Sequence, residues 1–279
     1  MECGSDVGTR VRVSKGVVLG LALWVFGAGG AEAAEFQLGG SGATLGTMRL
    51  LADAYTARHP ETTFVVLPSM GSSGGIKAVL AGAIALGLST RPLKPAEIEA
   101  GAEAIEYGST PFVFATASGT PVDGISTHQL ADIYAGRLTE WPDGTRIRMI
   151  LRPISDSDND AIKAISPEIR KGLEIAEKRP GMAFAVTDQE TAKAIATTPG
   201  GIGPSTLALI RSEGRDLKAL AIDGIPPSPD ALADGSYAID KPVLIVSSPK
   251  SPPEARDFIA FVRSDAGREI LVRTGHLVR

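Results

Sequence analysis

Between Thr44 and Arg58 the apolar side chains Leu45, Met48, Leu51, Ala52 and Tyr55 fall three or four residues apart, along one face of a helix. His59-Pro60 ends that pattern. Thr62 to Leu67 is β-branched and apolar, which predicts a strand. A second cycle follows, with Gly71-Ser-Ser-Gly-Gly75 as a loop, Ile76 to Ala81 as a short helix and Ala85 to Ser89 as a buried strand. Ahead of them Glu35 to Leu38 is short and extended, and Gly39 to Thr44 breaks it. Strand, glycine loop and helix thus recur within a short length, the rhythm of a parallel sheet. Helical spacing returns at Thr127 to Tyr134, Asp158 to Ile165, Ile169 to Lys178, Asp188 to Thr197 and Pro253 to Val262. Strands are predicted at Phe112 to Ala117, Arg148 to Arg152, Leu217 to Ile222 and Val243 to Ser247. Breaks near Pro111 and between Asp234 and Lys241 read as hinges. The chain has no fixed-period repeat.

The N-terminal pattern is different. Arg10, Arg12 and Lys15 precede an apolar run from Val17 to Gly29, about 13 residues long and short of the roughly 20 that span a bilayer. Ala31-Glu-Ala33-Ala34 then supplies small residues at the spacing of a signal-peptidase site. Residues 1–34 therefore read as a secretory signal peptide, cleaved near Ala33 or Ala34. Cys3, the single cysteine, would leave with it. It precedes the apolar run, so it is not placed as a lipid anchor. The expected product is exported to the periplasm.

Composition narrows the function. Hydrophobic residues make up 43% and charged residues 22%, an ordinary globular balance. With 28 Lys plus Arg against 32 Asp plus Glu, a net charge of −4 offers no broad basic field for nucleic acid. One Cys and three His leave little for a zinc site, and no cofactor is expected.

Three serine-bearing loops each open a predicted helix: Gly40 to Thr44, Ser72 to Gly75 and Ser155 to Asn159. A helix start leaves about four backbone N–H groups without partners and carries partial positive charge. Glycine lets a ligand approach the backbone, and hydroxyls add donors, so such loops bind oxyanions without a cationic surface. The same residues also serve as plain helix caps. Gly71-Ser-Ser-Gly-Gly75 matches G-x-S-x-G as well, the nucleophile elbow of α/β-hydrolases, which with His276 would make Ser73 a nucleophile. Against that, only about 38 residues of the exported chain precede Ser73, too few for the strands that usually build such a site.

These segments carry a family likeness. The chain resembles the phosphate-binding proteins of bacterial ABC transporters, within the type II periplasmic binding-protein fold. Gly40-Ser-Gly-Ala-Thr-Leu45 is similar to the first anion loop of that family, and Gly71-Ser-Ser-Gly-Gly-Ile-Lys77 to its second. Gly87-Leu-Ser-Thr-Arg-Pro-Leu93, Leu130 to Trp141, Gly200-Gly-Ile-Gly203 and Phe258 to Gly267 resemble further family segments in the same order.

The resemblance implies an α/β clamp of two lobes, each a mostly parallel sheet flanked by helices, with the ligand in the cleft. Residues 35–111 with 236–279 would form lobe 1, and residues 112–235 lobe 2. It further implies ligand contacts from Ala43, Thr44, Leu45, Ser72, Ser73 and Thr90 on one side, and from Arg152 and Ser157 on the other. The expected activity is non-enzymatic. A monomer captures phosphate or a related oxyanion and delivers it to an ABC permease in the inner membrane. Two departures stand out. Thr90 occupies the place of an aspartate that accepts the proton of hydrogen phosphate, which weakens discrimination against sulfate. The family's Arg-x-x-x-Ser-Gly-Thr becomes Arg152-Pro-Ile-Ser-Asp-Ser-Asp-Asn159, one residue longer to Ser157 and rich in carboxylates. Alternative readings are a secreted serine hydrolase and a sensor or adhesin derived from the same fold.

Overall fold

The computed structural model describes residues 34–278; residues 1–33 of the proposed export segment, Cys3 among them, lie outside the described residues. Both cycles read from the sequence form, as β1 (Ala34–Gly40), α1 (Gly42–Thr56), β2 (Thr62–Val66), α2 (Gly71–Ala81) and β3 (Leu86–Ser89). The chain continues through α3 (Pro95–Glu99), β4 (Glu103–Ala117), β5 (Gly124–Ile125), α4 (Thr127–Ala135) and β6 (Arg148–Leu151). Then come α5 (Ser157–Ile165), α6 (Pro167–Lys178), β7 (Ala183–Phe184), α7 (Asp188–Thr197), β8 (Gly201–Thr206) and α8 (Leu207–Ser212). It ends with β9 (Leu217–Ala219), β10 (Ala221–Ile222), α9 (Pro229–Ala233), β11 (Asp240–Ser247), α10 (Glu254–Val262) and α11 (Asp265–Arg273).

The main sheet runs β2-β1-β3-β11-β4-β8-β6-β7, with β9 also paired to β4. Parallel pairing holds on both flanks, β1 with β2 and β3 on one side, β6 with β8 and β7 on the other. The two strands between them, β11 and β4, are antiparallel to their neighbours. One half of the sheet buries Leu38, Leu45, Met48, Leu86 and Phe258 against α1 and α10. The other buries Phe112, Phe114, Leu130, Tyr134, Trp141 and Leu173.

Three departures from the sequence reading have physical causes. The break read near Pro111 lies inside the continuous strand β4. There β4 changes partners: Pro111 closes the register with Asp240 of β11, and Phe112 opens the register with Thr206 of β8. A missing N–H is tolerated at such a handover, where the ladder is interrupted anyway. Gly71 to Gly75 is not a loop before a helix but the first turn of α2. Gly71 enters it at φ 70, a turn that only glycine makes without strain. Finally, the stretch from Leu217 to Ile222 is two short strands, split at Leu220, which reach β4 and β5 respectively.

Gly75 explains how α2 is held. A methyl group added there would lie 2.6 Å from the carbonyl oxygen of Gly39 and 2.7 Å from the Cα of Gly40. The helix therefore rests directly on the end of β1. Gly75→Val should lower unfolding stability by about 1–3 kcal/mol, the usual cost of overpacking, or more if α2 is displaced. Urea denaturation measures this, and wild-type stability would show that α2 is seated otherwise.

Candidate functional site

The two glycine-bearing helices start at the carboxyl ends of parallel strands, where ligands bind in open α/β sheets. Backbone bonds stitch these ends together. Ser41 N–H donates to Leu88 O at 3.0 Å, and Met70 N–H donates to Gly40 O at 3.1 Å. Neither helix is capped by a side chain: Ser41 precedes α1 and Met70 precedes α2, and neither accepts a bond from the first turn. The Ser41 hydroxyl turns instead to the Thr90 hydroxyl at 3.1 Å, which also lies 3.4 Å from Ser72 Oγ. Thr90 N–H donates to Ser72 Oγ at 3.1 Å. Three buried hydroxyls thus meet where two uncapped helices begin. Thr44 Oγ1 and the Thr44 N–H both donate back to Ser41 O, at 3.0 and 3.3 Å.

The opposing wall has the reverse character. Asp156 caps α5, accepting from Asp158 N–H at 2.9 Å, and Thr187 caps α7 in a capping box with Glu190. Arg152 leaves the end of β6 with its side chain buried and surrounded by acceptors. Its Nη1 donates to Ala185 O and Thr191 Oγ1, both at 3.1 Å, and its Nη2 to Asp156 at 2.7 Å. Nε stands 3.5 Å from Asp158, and Nη2 lies 3.9 Å from Asp188. Lys241 of β11, equally buried, donates to the other oxygen of Asp158 and lies 5.2 Å over the Phe112 ring. Burial pulls both cations towards the neutral form, and the surrounding aspartates outweigh it, so both values are raised.

Two cations and three carboxylates leave this cluster one negative charge in excess. The excess falls on Asp188. Burial first and the Asp158 charge second push its carboxyl up to about 6, against the attraction of Arg152 and Lys241. This side chain also reaches the first helix: a methyl group on Gly42 would lie 2.6 Å from Asp188 Oδ2 and 2.5 Å from Gln189 Oε1. Gln189 donates to Gly42 O at 2.9 Å. A carboxylate of the chain itself therefore stands at the start of α1.

Between these walls opens a cavity of about 420 Å³, lined in part by Ser72, Ser73, Arg91, Lys94, Asp156 and Ser157. Of the residues expected from the sequence, Ser72, Ser73 and Ser157 reach it. Ala43, Thr44, Leu45, Thr90 and Arg152 are buried and do not line it. The structure commits Arg152, expected to offer its fork to a ligand, to protein acceptors. Asp156, just before Ser157, serves as both cap and counter-ion.

The sequence reading passed over Arg91, Asp188 and Lys241. Arg91 spans Ser73 Oγ at 3.0 Å and Glu97 at 2.7 Å. Its hydrogen bonds, opposed by burial, bring the Glu97 carboxyl down to about 2. Arg91 was legible as part of the Gly87 to Leu93 motif. Asp188 and Lys241 carried no local signal, since their partners lie tens of residues away. The hydrolase pair does not form either. Ser73 lies in the first turn of α2 beside Arg91. His276 is buried against Tyr107, its Nδ1 at 3.2 Å from both Thr274 Oγ1 and Leu271 O. Burial holds its imidazole down to about 4. Among the described residues no His, Cys, Asp and Glu group is arranged to hold a metal ion, and no helix is long and apolar enough to cross a membrane.

A family model described as the PBP superfamily domain matches residues 27–266. The phosphate-binding protein PstS of Borreliella burgdorferi is 26% identical over 223 residues, covering 77% of this chain and 80% of that protein. The phosphate-binding protein PstS of Bacillus subtilis is 25% identical over 251 residues, covering 87% and 80% respectively. Among solved structures, a Clostridium perfringens protein described as a phosphate ABC transporter substrate-binding protein, with bound phosphate, superposes with a TM-score of 0.75. It is 22% identical, and the match covers 88% of this chain and 100% of that one.

The charge excess is open to measurement. A carboxyl raised from 3.8 to about 6 contributes stability in its protonated form, and that contribution is lost as pH rises through 6. Asp188→Asn should therefore stabilise the fold by about 1–3 kcal/mol at pH 7.5, with the gain vanishing below about pH 3.8. Urea denaturation at the two pH values checks this, and an equal gain at both would contradict it. Arg152→Met should cost about 3–5 kcal/mol, because it strands buried carboxylates. A loss below 1 kcal/mol would mean that the cluster is solvated.

Proposed function

The chain belongs to the PBP superfamily and has the type II periplasmic binding-protein fold, and from that premise we propose that it captures phosphate or a related oxyanion for an ABC transporter. One observation carries the reading: α1 and α2 both begin without side-chain caps, side by side, with the hydroxyls of Ser41, Ser72 and Thr90 gathered between them. Their first turns present N–H groups with no side-chain acceptor, which an oxyanion satisfies far better than water does in a closed cleft. The names of the relatives and the phosphate bound in the Clostridium perfringens protein support the same ligand.

In this reading the two halves of the sheet are the lobes of the clamp, residues 35–111 with 236–279 and residues 112–235. Ala43, Thr44, Leu45 and Ser72 meet the anion from the first lobe, with Ser73 and Thr90 beside them. Ser157 meets it from the second. Arg152 joins them by exchanging Asp188, its most distant carboxylate, for the ligand. That exchange leaves the count of anions around Arg152 unchanged. Opening of the lobes withdraws Asp188 from the start of α1 and admits the ligand. Thr90 donates or accepts, so an unprotonated anion such as sulfate is rejected only weakly. The protein is exported through its N-terminal segment, works in the periplasm as a monomer and passes its ligand to a permease in the inner membrane. In this reading it binds without chemistry.

Titration calorimetry of residues 35–279 with phosphate, sulfate, molybdate and tungstate tests the reading. At least one should bind at sub-millimolar concentration, and silence from all four would overturn it. Ser72→Ala should weaken binding by about 1–3 kcal/mol, the cost of an unmade bond to a charged group. Wild-type affinity in that variant would show that the hydroxyl cluster is only structural.

A further inference from the structure

The cavity is larger than the anion that the helix starts would hold. An inorganic phosphate fills roughly the room of three waters at about 30 Å³ each, whereas the cavity measures about 420 Å³. Its walls are also of the wrong kind for a bare ion. Met70 and Val186 line it while remaining 37% and 67% exposed, so apolar surface faces the opening from both sides. Uncovered apolar surface in a cleft marks a contact for carbon.

The charges around the cavity sort into committed and free. Arg91 is engaged by Glu97 at 2.7 Å and Asp156 by Arg152 at 2.7 Å. Lys94 and Asp160 line the same cavity from opposite walls. Lys94 is exposed at the start of α3 and Asp160 is exposed in the first turn of α5. Neither side chain is ion-paired to a described residue. Arg91 and Lys94 both act on the single carboxylate of Glu97, which leaves one positive charge in excess on the wall that carries the hydroxyls of α2, with Asp160 across the gap and apolar surface between them.

We propose that this cleft takes a phosphate monoester or phosphonate whose short carbon arm ends in an ammonium group; the proposal rests on the oxyanion reading of the same site. The phosphoryl oxygens sit on the first turn of α2, the part of that site which the cavity reaches, with Ser73 and Lys94. The arm crosses Met70 and Val186, and the ammonium meets Asp160. A zwitterion of this kind satisfies both free charges at once. Inorganic phosphate satisfies Lys94 alone and faces Asp160 with like charge.

Calorimetry with phosphoethanolamine, ethyl phosphate and inorganic phosphate tests this. Phosphoethanolamine should bind about tenfold more tightly than either of the others, the return on one charge-assisted contact. Asp160→Asn should bring its affinity to within about threefold of ethyl phosphate, since only the ammonium contact is removed. Inorganic phosphate binding as tightly as phosphoethanolamine would overturn the proposal while leaving the oxyanion reading in place. Ethyl phosphate matching phosphoethanolamine would also overturn it, by removing the ammonium contact. If none of the three bound, and sulfate, molybdate and tungstate also failed, both readings would fall together.

Discussion

Two buried cations, Arg152 and Lys241, have to be neutralised, and much of the arrangement around the cleft follows from how that is done. Lys241 comes from β11 and Arg152 from the end of β6, while the carboxylates come from the starts of α5 and α7. A buried ion without partners costs several kcal/mol, so these four elements are held in one relation to each other. Lys241 sits on the strand that pairs with β3 and β4, so the cluster also ties the second set of helices to the sheet of the first. The three-to-two ratio leaves Asp188 weakly held and close to the first residue of α1.

This arrangement divides the cleft into two unlike walls. On one, helix starts have been left uncapped, and nearby hydroxyls bond to each other and not to the first-turn N–H groups. On the other, helix starts are capped by Asp156 and Thr187, and the arginine is already paired. In the proposed reading an anion is attracted by one wall and admitted by the other in exchange for a carboxylate. The hydroxyl of Thr90 fits this division, because it bridges Ser41 and Ser72 without adding charge to the attracting wall.

Legibility varied with the range of the interaction. Helical spacing located α1, α4 and α7 to within two residues at either end, because a face of apolar residues is written into one short window. β4 was read only from Phe112 onward. Its first half, Glu103 to Ser109, carries glutamates at exposed positions and a glycine, and is a strand because β11 lies beside it. The serines of α2 were read as lying in a loop before the helix. Glycine-rich sequence disfavours helix locally, and the seat of Gly75 on β1 overrides that preference.

By itself the sequence determined the alternation of strands and helices, the glycine-bearing starts of α1 and α2 and the family, since each of these is carried by residues close together along the chain. The tertiary structure decided what Arg152 does, which charges stay free at the cavity and which side chain occupies the start of α1. Those outcomes depend on Asp188 and Lys241 meeting Arg152 and Asp158 across separations of 36 and 83 residues, respectively. Electrostatics acts through distance in space, and only the folded chain sets that distance.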